Sequence, residues 1–334
     1  GLVAGLVGDS VKLRAALGAL SNVLLPAEIA RVLSPTGELV VIPHGILGVV
    51  PFAALTVPRD TQPLGARFAI RYGPSLAAVA EIEFANTGAM ISPRRWRQPA
   101  LSLLDGRGTP YRDSLAWRRS ALVLGAPTLP KALDGFSLGP LDSAESEART
   151  IAGLFGVQPL VGRQASEQEL RARMSTATVI HLATHGVAFA NPSDSRKSFV
   201  ALAASRNAGS AGDGVLTVSE LVDERAIHTE ADLVVLSACQ TGFGDFNAAE
   251  GVLGLQRAFL AKGALSVIGS LWSVDDEATN ALMTAFYRHW LSDTDKPSKA
   301  LALQRAQQAV RTDKLHKAWS NPRYWAAFQL VGAD

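Results

Sequence analysis

The sequence predicts an α/β fold, a mostly parallel sheet with helices on both faces. Short runs rich in Val, Ile and Leu, such as 179–183 and 232–237, are nearly continuous rather than alternating, which marks strands buried on both sides. Amphipathic helical patterns lie between them, and strands alternating with helices argue a parallel arrangement. The chain has 334 residues, 48% hydrophobic and 19% charged, which suits one large domain or two ordinary halves and excludes wholesale disorder.

Taken in order, the chain opens on 11–32, where apolar residues at mixed three and four spacing are interrupted by Pro26. This reads as two short helices or one broken helix. Strands are expected at 38–42 and 67–71. The longest apolar stretch, 39–55, holds Pro43, His44 and Pro51, so it is too short and too interrupted to span a bilayer. No signal peptide is visible, and the start at Gly1 rather than Met suggests a piece of a longer polypeptide with partners encoded upstream.

Segment 86–120 has a different character, with seven arginines, two acids, Trp96 and Trp117. It reads as a connector whose tryptophans pack on a neighbour and whose arginines are solvated, because no nucleic-acid motif accompanies the charge. It divides the chain into halves at 1–120 and 121–334. The second half carries expected strands at 121–124, 178–183, 199–203, 232–237 and 265–271, with helices at 143–155, 250–262, 275–291 and 299–311. Segment 205–214 is a Gly/Ser/Ala-rich loop.

Thirty-two basic against 30 acidic residues give a net charge of +2, which predicts neither a nucleic-acid nor an acidic-membrane partner. Cys239 is the one cysteine, so no intrachain disulfide forms, which fits a reducing, cytoplasmic setting. No cofactor motif is present.

Three strand ends carry the candidate chemistry. Val179–Gly186 ends in His185-Gly186, 233–242 ends at Cys239, and 265–272 runs into Ser273-Val274-Asp275-Asp276. In an open α/β sheet the ligand crevice lies outside the carboxyl ends of the strands, so adjacent ends would place imidazole and thiol on one rim. A thiol needs such a base to become the reactive thiolate. His181 and His185 are four apart, a zinc spacing on a helix, but on a strand that separation is about 13 Å, too far to share a metal. His181 is read as buried and His185 as the exposed one. Gly186 and Gly242 are either strand terminators or the small residues that let backbone N–H groups turn toward an oxyanion. A remote alternative is a GDS-type serine hydrolase built from Gly8-Asp9-Ser10 with Asp313 and His316, but its other expected blocks are missing.

The blocks HLATHG, LVVLSACQTGFGD and EGVLGLQRAFLAKGALSVIGSLWSVDD resemble the core of the CHAT proteins, caspase-like and separase-like clan CD cysteine peptidases often carried behind TPR repeats in bacteria. Segments 39–45, 51–55, 72–76, 300–310 and 325–331 extend the likeness to nearly the whole chain from Leu39. The 54-residue step from His185 to Cys239 suits the caspase spacing. The resemblance implies a caspase-like sheet preceded by a related pseudo-catalytic half. It implies His185 as general base, Cys239 as nucleophile, the backbone N–H groups of Gly186 and Cys239 as oxyanion hole, and a protein substrate. It also implies activation by a partner or an upstream TPR-like or sensor domain, with 205–214 and 240–249 as mobile parts. Relatives that cut after basic residues often carry an acid two positions before the cysteine, where this chain has Ser237. An acidic S1 pocket would then come from the Trp272–Asp276 segment, with Asp276 first and Asp275 second, unless Asp275 caps the following helix. A catalytically silent CHAT interaction module is the alternative within the same fold.

Overall fold

The computed structural model describes residues 9–58, 60–73, 75–76, 79, 115–133, 136, 138–189, 193–205, 212–240, 249–292 and 294–334. Most of the arginine-rich segment, the tip of the 205–214 loop and residues 241–248 lie outside the described residues.

Helix α1 (Ser10–Leu24) and helix α2 (Ala27–Val32) form the broken opening, with Pro26 at the N-cap of the second helix. Asp9 caps α1 by accepting from the Val11 and Lys12 N–H groups. Strand β1 (Gly37–Val41), the short helix α3 (Leu64–Arg67) and strand β2 (Phe68–Tyr72) come next in the first half. Helix α4 (Leu115–Arg119) follows. Its Trp117 is buried against Phe155 and Trp290, with ring centroids at 6.1 and 5.5 Å. That bears out the packed-tryptophan reading at this position. Arg118 is not simply solvated: it donates to the Leu291 carbonyl.

The second half supplies β3 (Ala121–Pro127), α5 (Ala144–Phe155), β4 (Leu160–Gly162), α6 (Glu167–Arg173) and β5 (Val179–Val187). It continues through β6 (Phe199–Ala201), β7 (Val215–Thr217), α7 (Val218–Asp223), β8 (Leu233–Gln240), α8 (Ala249–Ala261) and β9 (Ser266–Ser270). Helices α9 (Asp276–Trp290) and α10 (Lys299–Arg311) and strand β10 (Phe328–Gly332) close it.

Among the described residues the strands form one sheet in the order β1-β2-β10-β9-β8-β5-β3-β4, with the β6–β7 hairpin attached to β5. The pairs β3–β4, β3–β5, β5–β8 and β8–β9 are parallel, and β10 enters antiparallel to β9. Because β2 is parallel to β10, and β1 to β2, the first-half strands run opposite to β5 and β8. The first half therefore extends the same sheet, and its strands end at the other edge.

The pleat sorts side chains between two cores. Val179 of β5 and Leu233 and Val235 of β8 belong to the core under α5, α9 and α10. Their neighbours Ile180, Leu182, Val234 and Leu236 belong to the core under α6, α7 and α8. Helix α5 lies so close to β3 that a Cβ on Gly125 would sit 2.5 Å from the Ala148 Cβ and 2.8 Å from the Ala144 carbonyl oxygen, so only glycine fits there. No helix among the described residues is long and apolar enough to cross a membrane.

Candidate active site

Strands β5 and β8 pair in unbroken parallel register from Val179↔Leu233 to Gly186↔Gln240, and within that ladder His185 pairs with Cys239. The two candidate residues are thus direct neighbours at the carboxyl ends of adjacent strands. Strand β5 outlasts its expected end because β6 pairs with Gly186 and Val187 from the other side. Gly186 therefore lies inside the strand, flanked by β6 and β8, and does not terminate it. Gly242 lies outside the described residues.

His185 is not the exposed histidine expected from its place at a strand end: it is 4% exposed. The cause is the segment before α5, which crosses over it. Phe136 anchors that segment by packing edge-on against Phe199 at 5.3 Å and Phe189 at 6.4 Å. At its other end the Ser143 N–H donates to Asp276 Oδ2 at 2.5 Å. Between these anchors the Gly139 carbonyl meets His185 Nε2 at 2.8 Å. A carbonyl can only accept, so the proton of neutral His185 sits on Nε2 and the Nδ1 lone pair is left free. Nδ1 is buried and has no hydrogen-bond partner among the described residues. Burial holds the imidazole pKa below its ordinary 6.5, against opposing pulls from the Gly139 carbonyl and the Asp276 carboxylate. The site thus has a neutral, oriented base with an unused lone pair.

The residues named for S1 have separate placements. Asp275 is the N-cap of α9 and accepts from the Ala278 N–H at 3.0 Å. Asp276 ties α9 to Ser143 and is the carboxylate that acts on His185. Trp272 is buried in the core, and its indole N–H donates to the Arg323 carbonyl at 2.9 Å. Ser237 is 6% exposed, and its hydroxyl has no partner among the described residues. His181 is fully buried, as expected, between Tyr287 and Glu147.

The serine-hydrolase set does not assemble. His316 Nδ1 meets Asp313 at 3.1 Å, but its Nε2 faces Glu277 at 3.6 Å rather than a hydroxyl, and its ring stacks on Trp319. Ser10 is the first residue of α1.

Sequence reasoning missed Gly139. It offers only a backbone carbonyl, which every residue has, so no side-chain pattern could mark it.

The CHAT domain family model matches residues 14–333. Two curated relatives are the human and mouse tetratricopeptide repeat protein 28, 30% and 31% identical in alignments of 326 positions that cover 89% of this chain. The chain spans 12% of the length of each. Among solved structures, the Saccharomyces cerevisiae separase–securin complex matches 86% of this chain and 15% of that chain at 13% identity, with a TM-score of 0.46. The Arg-specific cysteine proteinase gingipain R matches 89% of this chain and 63% of that chain at 9% identity, with a TM-score of 0.47.

Proposed function

We propose that this chain, which belongs to the CHAT domain family, is a cysteine endopeptidase that cleaves a protein substrate through His185 and Cys239. The observation that carries the reading is the pairing of His185 with Cys239 across the ends of two parallel strands. Next to it stands the neutral imidazole, fixed by Gly139 with Nδ1 unused.

In this reading Nδ1 takes the Cys239 thiol proton, and the thiolate adds to the scissile carbonyl carbon. Backbone N–H groups of Gly186 and Cys239 receive the developing oxyanion. The tetrahedral species collapses to a thioester as His185 returns the proton to the leaving amine. Water, deprotonated by the same nitrogen, then releases the acid and frees the thiol. The Gly139 carbonyl does the orienting work, so no third side chain is required. The acidic S1 pocket now rests on Asp276, since Asp275 is engaged as a helix cap and Trp272 is packed in the core. A basic P1 residue is the expected preference.

The named relatives are TPR proteins, which supports a helical repeat partner in the same polypeptide or in trans, and with it partner-dependent activation. The same names favour the second reading, a CHAT module that binds without cutting.

Cleavage-site profiling on a peptide library separates the two readings, with wild type set against Cys239→Ala and His185→Ala. Peptidase activity lost in both variants, with folding intact, supports the proposal. Cleavage that survives in pure Cys239→Ala protein refutes it. A wild type that cuts nothing with its partner present, and whose Cys239 alkylates no faster than a free thiol, favours the binding module.

A further inference from the structure

Beneath the candidate dyad lies a second polar group that the proposed chemistry does not use. His181, Glu147 and Tyr287 are 0%, 1% and 0% exposed. His181 Nε2 meets Glu147 Oε1 at 3.0 Å, and Nδ1 meets Tyr287 Oη at 3.2 Å. The rings of His181 and Tyr287 pack edge-on at 5.5 Å. A carboxylate can only accept, so His181 donates from Nε2 and takes the Tyr287 hydroxyl proton's hydrogen bond at Nδ1. Burial keeps the Tyr287 hydroxyl protonated, so it can serve as that donor. Every exchangeable hydrogen between the three groups therefore has an assigned place.

The fork joins three elements. His181 is on β5, Glu147 on α5 and Tyr287 on α9. These are the strand that carries His185, the helix that follows Gly139 and Ser143, and the helix that begins at Asp276. The fork sits at a different depth along each element. His181 to His185 is about 13 Å of strand. Tyr287 back to Asp276 is about 16 Å of helix. On α9 the contact lies about three turns below the helix start, and on α5 it lies within the first turn, four residues after Ser143, so it fixes where each helix start arrives. Apart from the close approach of α5 to Gly125, the remaining core residues of the two helices, such as Ile151 and Ala152 of α5 and Leu282, Met283 and Phe286 of α9, are apolar, and apolar contacts are non-directional. A buried, hydrogen-bonded polar fork is directional and favours one axial setting.

We propose that His181, with Glu147 and Tyr287, is a positioning residue for the site: it sets the register of α5 and α9 along β5 and so holds the Gly139 carbonyl on His185 Nε2. The functional half of this statement rests on the peptidase reading. The structural half does not.

The test uses the whole chain and reads His185 directly. Imidazole ¹⁵N shifts are recorded for wild type, the double variant Glu147→Leu/His181→Leu, Tyr287→Phe and His181→Gln, with thermal midpoints alongside. The double variant replaces the fork with apolar groups and leaves no buried charge unpaired, so it is expected to keep its fold. Wild-type His185 should read as the Nε2–H tautomer, and the double variant should read as a mixture of tautomers. Cleavage kcat in the double variant should fall about a hundredfold, with KM within about twofold. Tyr287→Phe should move both readouts the same way by less. His181→Gln should restore most of the order, since its amide can both donate to Glu147 and accept from Tyr287. A folded double variant with wild-type His185 shifts overturns the proposal, as does Tyr287→Phe with wild-type shifts should the double variant not fold. If wild type proves to have no peptidase activity, the shift measurements still decide the positioning role, so the two failures are distinguishable.

Discussion

The chain holds two His-Gly pairs, one after a strand and one within the last residues of a strand, and they have opposite surroundings. His44-Gly45 follows β1, and His185-Gly186 lies at the end of β5. His44 is exposed and opens a 3₁₀ turn, Gly45–Val49, without a side-chain cap. His185 is buried and fixed to Gly139. Because β1 runs opposite to β5, the two pairs also emerge at opposite edges of the sheet. The same dipeptide is therefore held in a fixed orientation only where another segment meets it, and that segment, not the dipeptide, distinguishes the two halves.

The largest effect should come from exchanging the roles in this comparison. His185→Ala and Cys239→Ala should each lower kcat/KM for a peptide substrate by about ten-thousandfold or more. His44→Ala should leave it within about twofold, and an equal loss in all three would erase the distinction. Next comes the close approach of β3 and α5. Gly125→Ala pushes α5 outward and should cost about 1–3 kcal/mol in urea unfolding. Gly153→Ala, at a helix position with nothing within 4 Å, should cost nothing measurable. If Gly125→Ala is neutral, α5 is held more loosely than its contacts imply.

The burial of His185 sharpens the comparison through pH. The base must be neutral to act, and its pKa lies below 6.5, so the acid limb of kcat/KM should fall below that value. For stability the unfolded chain takes up this proton first, so unfolding free energy should fall as pH drops through 6.5 and level off below the folded pKa. A pH–rate profile with its acid limb above 6.5, once Asp276→Asn has removed the carboxylate's pull, would mean a solvated imidazole. The smallest effect is at the helix cap. Asp275→Ala should cost about 1 kcal/mol of stability. It should leave the P1 preference unchanged, whereas Asp276→Asn should lower kcat/KM selectively on Arg substrates. Assays of Arg, Leu and Asp P1 peptides on both variants check this.

Much of the sheet was legible because buried parallel strands announce themselves as continuous Val/Ile/Leu runs, and α5, α8, α9 and α10 as amphipathic periods. The elements missed were mostly short, apart from the five-residue β10, which was not expected as a strand. Strands β4 and β7 have three residues each, too few to show a period. Helices α6 and α7 were missed although the sequence holds their start signals. Ser166 and Thr217 each precede a glutamate by three, Ser166 accepts from the Glu169 N–H, and Thr217 with Glu220 forms a full capping box. At the site, His185 and Cys239 were readable as strand ends, but the burial of His185 was not. It depends on a loop whose anchors, Phe136 and Ser143, have no local signature and act through residues far away in the chain.

Strand β10 has a consequence for the order of assembly. It sits between β9 and β2, so residue 72, already paired with residue 41 on one side, cannot find its partner on the other until residue 331 has been made. During synthesis the ladder from β9 through β8 and β5 to β3 can form first, while β1 and β2 wait as an unattached pair. A nascent chain arrested before residue 328 would present two unpaired edges, β9 and β2, each able to recruit a foreign strand. Such long-range closure is slow relative to the pairings within the second half. Pulsed hydrogen exchange during refolding should therefore find the amides of β8 protected before those of β2, a sequence in which the candidate dyad comes together ahead of the half that precedes it in the chain.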